Sequence, residues 1–351
     1  MSFRPPSAEE IAETARSLGI ALDAADAAAY AELAAPFLAG LPTLEALPDA
    51  LPPVHPARTP GVRPMPAENP LGAWYVKTRI EGAASGPLAG RTVALKDNVM
   101  LAGVPMSNGT SVLEGYVPPI DATVVTRLLD AGAIVAGKAV CESFCASGGS
   151  HTSDTGPVRN PHDPTRTSGG SSSGCGALVA AGEVDFAIGC DQGGSIRIPS
   201  AYCGLVGLKP THGLVPYTGI LSMDATIDHV GPMTRGVRDN ALVLDAIAGP
   251  DGLDGRQRFV RIDRYVAALE RGHAGLRVGI LREGFAHPSS DPRVDDCVRE
   301  GAARLAKQGL EVVEVGVPDH RLLSSLLVPV FQSAVATIFH TDGCGPGRED
   351  L

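Results

Sequence analysis

Residues 168–207 constrain the fold of this chain most, because two glycine–serine loops enclose one apolar segment there. The first loop is GGSSSG at residues 169–174, and the second is GGS at residues 193–195. The segment between them has about the length of one helix and one strand. Loops that carry hydroxyl groups and are held apart by buried structure indicate an active site rather than a flexible linker.

The segments around this stretch predict an α/β fold. Residues 91–98 (RTVALKDN) contain an apolar, β-branched run, which predicts a buried strand with Lys96 at its end. A helix capped by Asp121 is expected next, followed by a strand over residues 133–137 that ends in Lys138. This order predicts a parallel β-α-β unit within a large mixed β-sheet flanked by helices. Further helices are expected over residues 239–247, 291–309 and 322–339, and further strands over residues 276–281 and 311–315.

The amino-terminal part predicts a separate helical extension. Ser7 and Glu10 form a capping-box motif at the start of one helix, and a second, Ala-rich helix is expected over residues 23–38. Nine prolines within residues 41–70 are too many for a helix or a central strand. We therefore expect three parts. They are a helical extension (1–40), an extended connector (41–70) and the main domain (71–351). The extension is either a dimer surface or a helical pair packed on its own domain.

The composition argues against several classes of function. The net charge is −10 and no cluster of Lys or Arg is present, which disfavours a nucleic-acid partner. No apolar run is long enough to span a bilayer, and the first residues lack the apolar core of a signal peptide. The seven cysteines are odd in number and form no C-x-x-C motif, which is typical of reduced thiols in a cytoplasmic protein. Cys141 and Cys145 lack a second ligand pair nearby, so we expect no metal site.

The first loop allows two interpretations that do not involve a serine relay. Residues 170–174 match the G-x-S-x-G nucleophile elbow centred on Ser172, but that elbow needs a strand directly before it. Residues 161–169 (PHDPTRTSG) are polar and interrupted by proline, which predicts a loop and disfavours the elbow. The other interpretation is that Ser171 and Ser172 are ordinary capping or turn serines.

Ser195 is the stronger candidate for a nucleophile. It follows a predicted strand over residues 186–190, and two glycines before it allow backbone N–H groups to converge as in an oxyanion hole. A serine hydroxyl needs a base that removes its proton, and none of the nine histidines falls in either loop. Lys96, at the end of a buried strand, can serve if it is neutral. Holding its amine neutral at pH 7 requires about 4–5 kcal/mol of desolvation and neighbour effects.

On these residues the chain resembles the amidase signature family. The two loops, together with residues 191–199 (DQGGSIRIP), match the glycine–serine signature of that family. Flanking motifs match as well: ALKDN at residues 94–98, GLKPT at residues 207–211 and GPMTR at residues 231–235. The resemblance covers about residues 73–315 and implies the amidase signature fold and a reaction that requires no cofactor and no metal.

The resemblance implies a role for each matching residue. It implies that Ser195 is the nucleophile that forms an acyl-enzyme, that Lys96 is the final base, and that Ser171, after a cis peptide bond, bridges them. It also implies that Ser172 orients Lys96 and that Arg197 fixes the signature loops. The implied oxyanion-hole donors are the backbone N–H groups of Gln192, Gly193 and Gly194.

Within the family, Gln192 and the helical extension are most similar to bacterial amidases associated with nitrile metabolism. Those are homodimers, so the resemblance implies a homodimer that hydrolyses a small-molecule amide. Ala146 implies room for a bulky acyl group, and Ser173 departs from the glycine that is common there. Family members continue well beyond Leu351, and residues 343–351 (GCGPGREDL) have the composition of an interrupted loop, so we expect a carboxy-terminally truncated chain.

Three alternatives stay open on the sequence. The first is a carbamate (urethane) hydrolase, since a carbamate carbonyl fits the same oxyanion hole. The second is a component of an amidotransferase complex that acts on charged tRNA, although Gln192, the negative charge and the helical extension weigh against it. The third is an inactive, truncated homologue with a structural role.

Overall fold

The computed structural model describes residues 4–48, 51–52, 54 and 58–340. The chain divides into two compact units, Met1–Leu51 and Pro52–Leu351. Residues 343–351, for which the sequence predicts an interrupted loop, lie outside the described residues.

The first unit is helical. The predicted capping box is confirmed, because the Glu10 N–H donates to Ser7 Oγ at 3.2 Å and the Ser7 N–H donates to Glu10 Oε2 at 2.7 Å. The interpretation of residues 41–70 as wholly extended is wrong at its start, where a short helix forms. Pro42 is tolerated there because the N–H groups of the first turn have no partner within a helix. The three helices are α1 (Ala8–Ser17), α2 (Ala24–Leu38) and α3 (Leu41–Glu45).

The second unit is built around a six-stranded sheet with the strand order β1-β3-β2-β4-β6-β5. Strand β2 pairs in parallel with both β3 and β4, whereas the β1–β3, β4–β6 and β5–β6 pairs are antiparallel. The sheet is therefore mixed, and the predicted parallel β-α-β unit is confirmed. Its strands are β1 (Trp74–Ile80), β2 (Thr92–Lys96), β3 (Ile134–Ala139), β4 (Phe186–Asp191), β5 (Val206–Gly207) and β6 (His229–Thr234).

Two later strands, β7 (Arg277–Leu281) and β8 (Glu311–Val315), confirm the predicted positions. They pair with each other in parallel in a separate two-stranded sheet, so they do not extend the large one. Among the described residues, no helix has the length and hydrophobicity needed to cross a membrane. The helices of this unit include α4 (Thr123–Asp130), α5 (Ser173–Ala180), α6 (Arg197–Tyr202), α7 (Val237–Ile247), α8 (Tyr265–Leu269), α9 (Pro292–Lys307) and α10 (Leu323–His340).

Two local predictions around α4 are wrong. Asp121 does not cap the helix, since Ala122 is the N-cap residue. The Asp121 carboxylate instead accepts the Ala102 N–H at 2.9 Å and pairs with Arg58, so it anchors a neighbouring loop. Lys138 does not follow β3 but lies inside it, because the strand continues to the next residue.

The central strands β2 and β4 are buried on both faces, as is typical of parallel strands covered by helices. All six residues of β4 are buried, and the apolar residues of β2 have no exposed surface. Because β2 and β4 run in parallel, their carboxyl ends meet at one edge of the sheet. That edge receives Lys96 from β2 and Asp191 from β4.

Candidate active site

Lys96 and Ser171 are in direct contact, as the family resemblance implies. Lys96 has no exposed surface, and its Nζ lies 2.7 Å from Ser171 Oγ and 3.3 Å from the carbonyl oxygen of Cys190. No carboxylate in the described part of the chain forms an ion pair with it. A buried amine whose partners are a hydroxyl and a carbonyl has little to stabilise its positive charge.

The second buried lysine has a different environment. Lys138 also has no exposed surface, but its Nζ lies 3.2 Å from Asp97 Oδ1 and donates to the carbonyl oxygens of Asp97 and Val99. The other carboxylate oxygen of Asp97 accepts hydrogen bonds from Ser107 and Asn108. Lys138 thus has a buried carboxylate partner, which Lys96 lacks among the described residues, and this ion pair makes it a structural residue.

The charge of Lys96 depends on the cysteines around it. Burial is the largest influence on the pKa of Lys96 and lowers it, whereas ionised cysteine sulfurs nearby raise that pKa above its ordinary value. However, burial raises the pKa of Cys175 and Cys190 to about 12 and that of Cys141 well above its usual range. Only Cys145, whose pKa is lowered to about 7 chiefly by its hydrogen bond with Cys141, is partly ionised at pH 7. When Cys145 is also protonated, burial is the main remaining influence and favours the unprotonated amine that a general base requires.

The first loop holds Ser171 from both sides. The peptide bond between Gly170 and Ser171 is cis, as the resemblance implies. The Ser171 carbonyl oxygen accepts a hydrogen bond from the Glu142 N–H at 3.1 Å. The Gly170 N–H donates to the carbonyl oxygen of Gly148 at 2.9 Å. A Cβ on Gly170 would collide with the carbonyl oxygen of Gly149, so this position requires glycine.

Among the described residues, no hydrogen bond joins the Ser172 side chain to Lys96. Its Oγ donates to the Cys190 carbonyl oxygen at 3.2 Å and accepts the Cys190 N–H at 3.3 Å. Lys96 contacts the same carbonyl oxygen, so Ser172 and Lys96 share a hydrogen-bond partner in the backbone of β4.

The second loop is folded around Asp191, for which the sequence pattern indicates no role of its own. Its carboxylate accepts the N–H groups of Gly194 at 2.8 Å and Ile196 at 3.1 Å. Arg197 donates two further hydrogen bonds to the Asp191 carboxylate, from Nε at 3.0 Å and from Nη2 at 2.9 Å. Burial raises the pKa of Asp191, but the hydrogen bond from Arg197 and the loop N–H groups outweigh it and lower that pKa. The carboxylate is thus ionised and fixes the turn that carries Ser195.

One of the three predicted oxyanion donors already has an acceptor within the loop. The Gly194 N–H is already occupied by Asp191, whereas the Gly193 N–H has no acceptor among the described residues. Gly193 lies beneath α10, where an added Cβ would meet Leu327 at 3.3 Å and Phe331 at 3.6 Å. Ser195 is 6% exposed and its carbonyl accepts the Ser172 N–H at 3.3 Å. In the part of the chain that the structure describes, no hydrogen bond joins Ser195 Oγ to Ser171 Oγ.

The family model for amidases matches residues 54–343 of this chain. The chain belongs to the amidase family. It is 58% identical to an enantioselective amidase of Rhodococcus rhodochrous over 261 residues, which is 73% of this chain and 50% of that protein. The chain therefore spans about half the length of this relative.

Solved structures of amidase relatives share the fold. A glutamyl-tRNA(Gln) amidotransferase subunit of Thermotoga maritima superposes with a TM-score of 0.72 at 31% identity, covering 80% of this chain and 62% of that one. The native peptide amidase of Stenotrophomonas maltophilia superposes with a TM-score of 0.65 at 36% identity, covering 74% of this chain and 55% of that one. These likenesses confirm the predicted amidase fold.

Further residues near the carboxyl ends of β2 and β4 come from segments that are distant from these strands in the sequence. Gln192 Nε2 donates to Asp228 Oδ1 at 2.7 Å and to the Tyr217 hydroxyl at 3.1 Å. Ala146, which the resemblance places near the pocket, is exposed and follows Cys145 at the end of a short turn. Neither Tyr217 nor Asp228 belongs to a local pattern that indicates a functional role, although Asp228 stands directly before β6 and close to the matching motif at residues 231–235.

Proposed function

We propose that this chain carries the catalytic machinery of a serine hydrolase that cleaves carboxylic amides. The observation that carries the proposal is the buried Lys96 amine, which contacts Ser171 Oγ at 2.7 Å and has no carboxylate partner among the described residues. A neutral amine hydrogen-bonded to a hydroxyl can act as a general base through that hydroxyl. The identity to the enantioselective amidase supports an amide as the substrate.

In the proposed reaction, Ser195 Oγ attacks the carbonyl carbon of the amide while its proton passes to Ser171 and the proton of Ser171 passes to Lys96. The negative oxygen of the tetrahedral intermediate is stabilised by the N–H groups of Gln192 and Gly193, with that of Gly194 engaged by Asp191. The C–N bond then breaks, and the leaving nitrogen receives a proton by the reverse relay. Water hydrolyses the acyl-enzyme by the same path, giving the carboxylate and restoring Ser195.

The homodimer formed through residues 1–40, the cytoplasmic location and the acyl-group pocket at Ala146 stay predictions from the sequence. The alternatives, a carbamate hydrolase and a component of an amidotransferase complex, gain no specific support from the site. A carbamate is nevertheless a useful second substrate in any screen, because its carbonyl would meet the same donors.

The test uses a fluorophosphonate probe, which reacts with activated serines, together with an assay for ammonia release from simple carboxamides. We expect labelling and hydrolysis in the wild type and the loss of both in Ser195→Ala. Ser173→Ala is the matched control, since it removes a hydroxyl of the first loop that faces the Val140 carbonyl rather than Lys96. Labelling that persists in Ser195→Ala, or a wild type that releases no ammonia from any amide, would contradict the proposal.

A further inference from the structure

Glu142 is a buried acidic residue that has no part in the proposed proton transfers. The residue has no exposed surface, and no cationic side chain in the described part of the chain forms an ion pair with it. Its Oε2 accepts three hydrogen bonds, from the His151 N–H at 3.1 Å, the Thr152 N–H at 3.0 Å and the Thr152 hydroxyl at 2.9 Å. The same hydroxyl accepts the Ser143 N–H at 3.2 Å. The Glu142 side chain therefore joins the two ends of one loop, residues 142–152, which we call the clip loop.

The clip loop holds the Gly170–Ser171 peptide at two points. At the start of the loop, the Glu142 N–H donates to the Ser171 carbonyl oxygen at 3.1 Å. In its later part, the Gly148 carbonyl oxygen accepts the Gly170 N–H at 2.9 Å. Gly170 also packs closely against the loop, since an added Cβ would lie 2.0 Å from the Gly149 carbonyl oxygen and 2.9 Å from Cγ of Glu142. Both points of contact keep their places only while the loop stays closed.

The position of the Ser171 hydroxyl depends on this backbone. Ser171 Oγ lies 2.7 Å from Lys96 Nζ, and no other hydrogen-bond partner of this hydroxyl occurs among the described residues. The distance between the two atoms therefore follows from where the Gly170–Ser171 peptide is held. When a reacting group is displaced by about 1 Å, the rate can fall about 10²-fold.

We propose that Glu142 is the positioning residue of this relay: its side chain keeps the clip loop closed and thereby holds Ser171 Oγ beside Lys96. Among the described residues, the Glu142 side chain forms no hydrogen bond with any member of the proposed relay, so its effect on hydrolysis passes through the backbone that carries Ser171. The inference rests on the proposed amide hydrolysis and adds the residue that keeps the relay serine in place.

Glu142→Gln tests this role with little change in shape. If the amide oxygen takes the place of Oε2, the NH2 group takes the place of Oε1, which is buried and has no partner among the described residues. If the amide is reversed, its NH2 group faces the three donors of residues 151–152. Either orientation weakens the closure of the clip loop. We therefore expect kcat for a simple carboxamide to fall at least about tenfold, while KM changes less than about threefold because Glu142 has no surface that a substrate could contact.

A double-mutant cycle distinguishes the positioning of Ser171 from a general structural role. The measured quantity is the second-order rate constant for fluorophosphonate labelling of Ser195, which can be followed for hours in slow variants. We expect Glu142→Gln to slow labelling at least about tenfold when Ser171 is present. In the Ser171→Ala background, the same substitution should change the rate less than about twofold, because the hydroxyl that Glu142 positions has already been removed.

Asp154→Asn is the matched control. It also exchanges a carboxyl group for an amide, but two residues beyond the clip loop, where Asp154 is exposed and accepts the Ser111 N–H at 2.6 Å. This contact does not involve the Gly170–Ser171 peptide, so labelling should stay within about twofold of the wild-type rate.

Two variants of Thr152 remove and restore one contact of the clip loop. Thr152→Val keeps the shape of the side chain but lacks the hydroxyl that donates to Glu142, so labelling should slow at least about threefold. Thr152→Ser keeps the hydroxyl and should label within about twofold of the wild-type rate.

Labelling of Glu142→Gln at the wild-type rate would overturn the inference, and so would an equal slowing in the presence and the absence of the Ser171 hydroxyl. If Glu142→Gln does not fold, the Thr152 variants decide, and equal rates in Thr152→Val and Thr152→Ser would then contradict it. The proposed function fails differently, by a wild type without Ser195-dependent amide hydrolysis. Hydrolysis that depends on Ser195 but not on Glu142 contradicts only the positioning role.

Discussion

Replacing each buried lysine with methionine should separate structural from catalytic roles. Lys138→Met leaves the buried Asp97 carboxylate without its cation, which should lower the free energy of unfolding by about 3–5 kcal/mol. Lys96→Met loses two hydrogen bonds, each worth about 0.5–1.5 kcal/mol, but leaves no buried charge behind. The Cys190 carbonyl keeps its bond from Ser172. Because a buried amine is also removed, we expect a net loss of stability below about 1 kcal/mol.

The loss of amide hydrolysis should be larger in Lys96→Met than in Lys138→Met, which is the opposite of the order expected for the loss of stability. Removing a general base costs about 10²- to 10⁴-fold in rate, so Lys96→Met should lose nearly all amide hydrolysis while it stays folded. Unfolding in urea can be followed by the fluorescence of the single tryptophan, Trp74, which lies in β1 and is 5% exposed. If Lys96→Met destabilises the protein as much as Lys138→Met does, Lys96 is charged in the folded state and the assignment of the base is wrong.

Two further predictions concern the second loop and the thiols. Asp191→Asn should weaken the Arg197 contact and the loop N–H bonds and lower amide kcat/KM by at least about tenfold. A variant with wild-type kinetics would show that Asp191 does not position the nucleophile loop. At pH 8, iodoacetamide should modify the exposed Cys297 before Cys203, whose pKa burial raises to about 12 and which should react only after unfolding. Peptide mapping by mass spectrometry measures this order, and early modification of Cys203 would contradict it.

The elements of the main sheet could be predicted because their sequence patterns are local. The apolar run before Lys96 and the run before Asp191 are long enough to identify β2 and β4 without knowledge of the rest of the fold. The contact between Lys96 and Ser171 was expected only through the family resemblance, since nothing in the intervening sequence fixes their separation.

Contacts between distant segments were not predictable in this way. The pairing of Gln192 with Tyr217 and Asp228 depends on where two later segments return to the sheet edge. The hydrophobic periodicity of the sequence does not indicate that position. The use of Gly194 N–H by Asp191 was missed because a glycine pair before a serine indicates a tight turn but not the direction of each N–H. Asp121 was misassigned for a related reason, as its carboxylate has a tertiary partner that competes with the helix terminus.

The antiparallel pairing of β6 with β4 has a consequence for how this edge can vary. It brings the start of β6 to the same edge as the ends of β2 and β4, so Asp228 enters from a loop before a strand while Lys96 stands at the end of one. The candidate base and the carboxylate that holds the Gln192 amide are thus supplied by segments that share no turn. Insertions or substitutions in the loop before β6 would change the surroundings of the Gln192 side chain while the strand that carries Lys96 keeps its length and register.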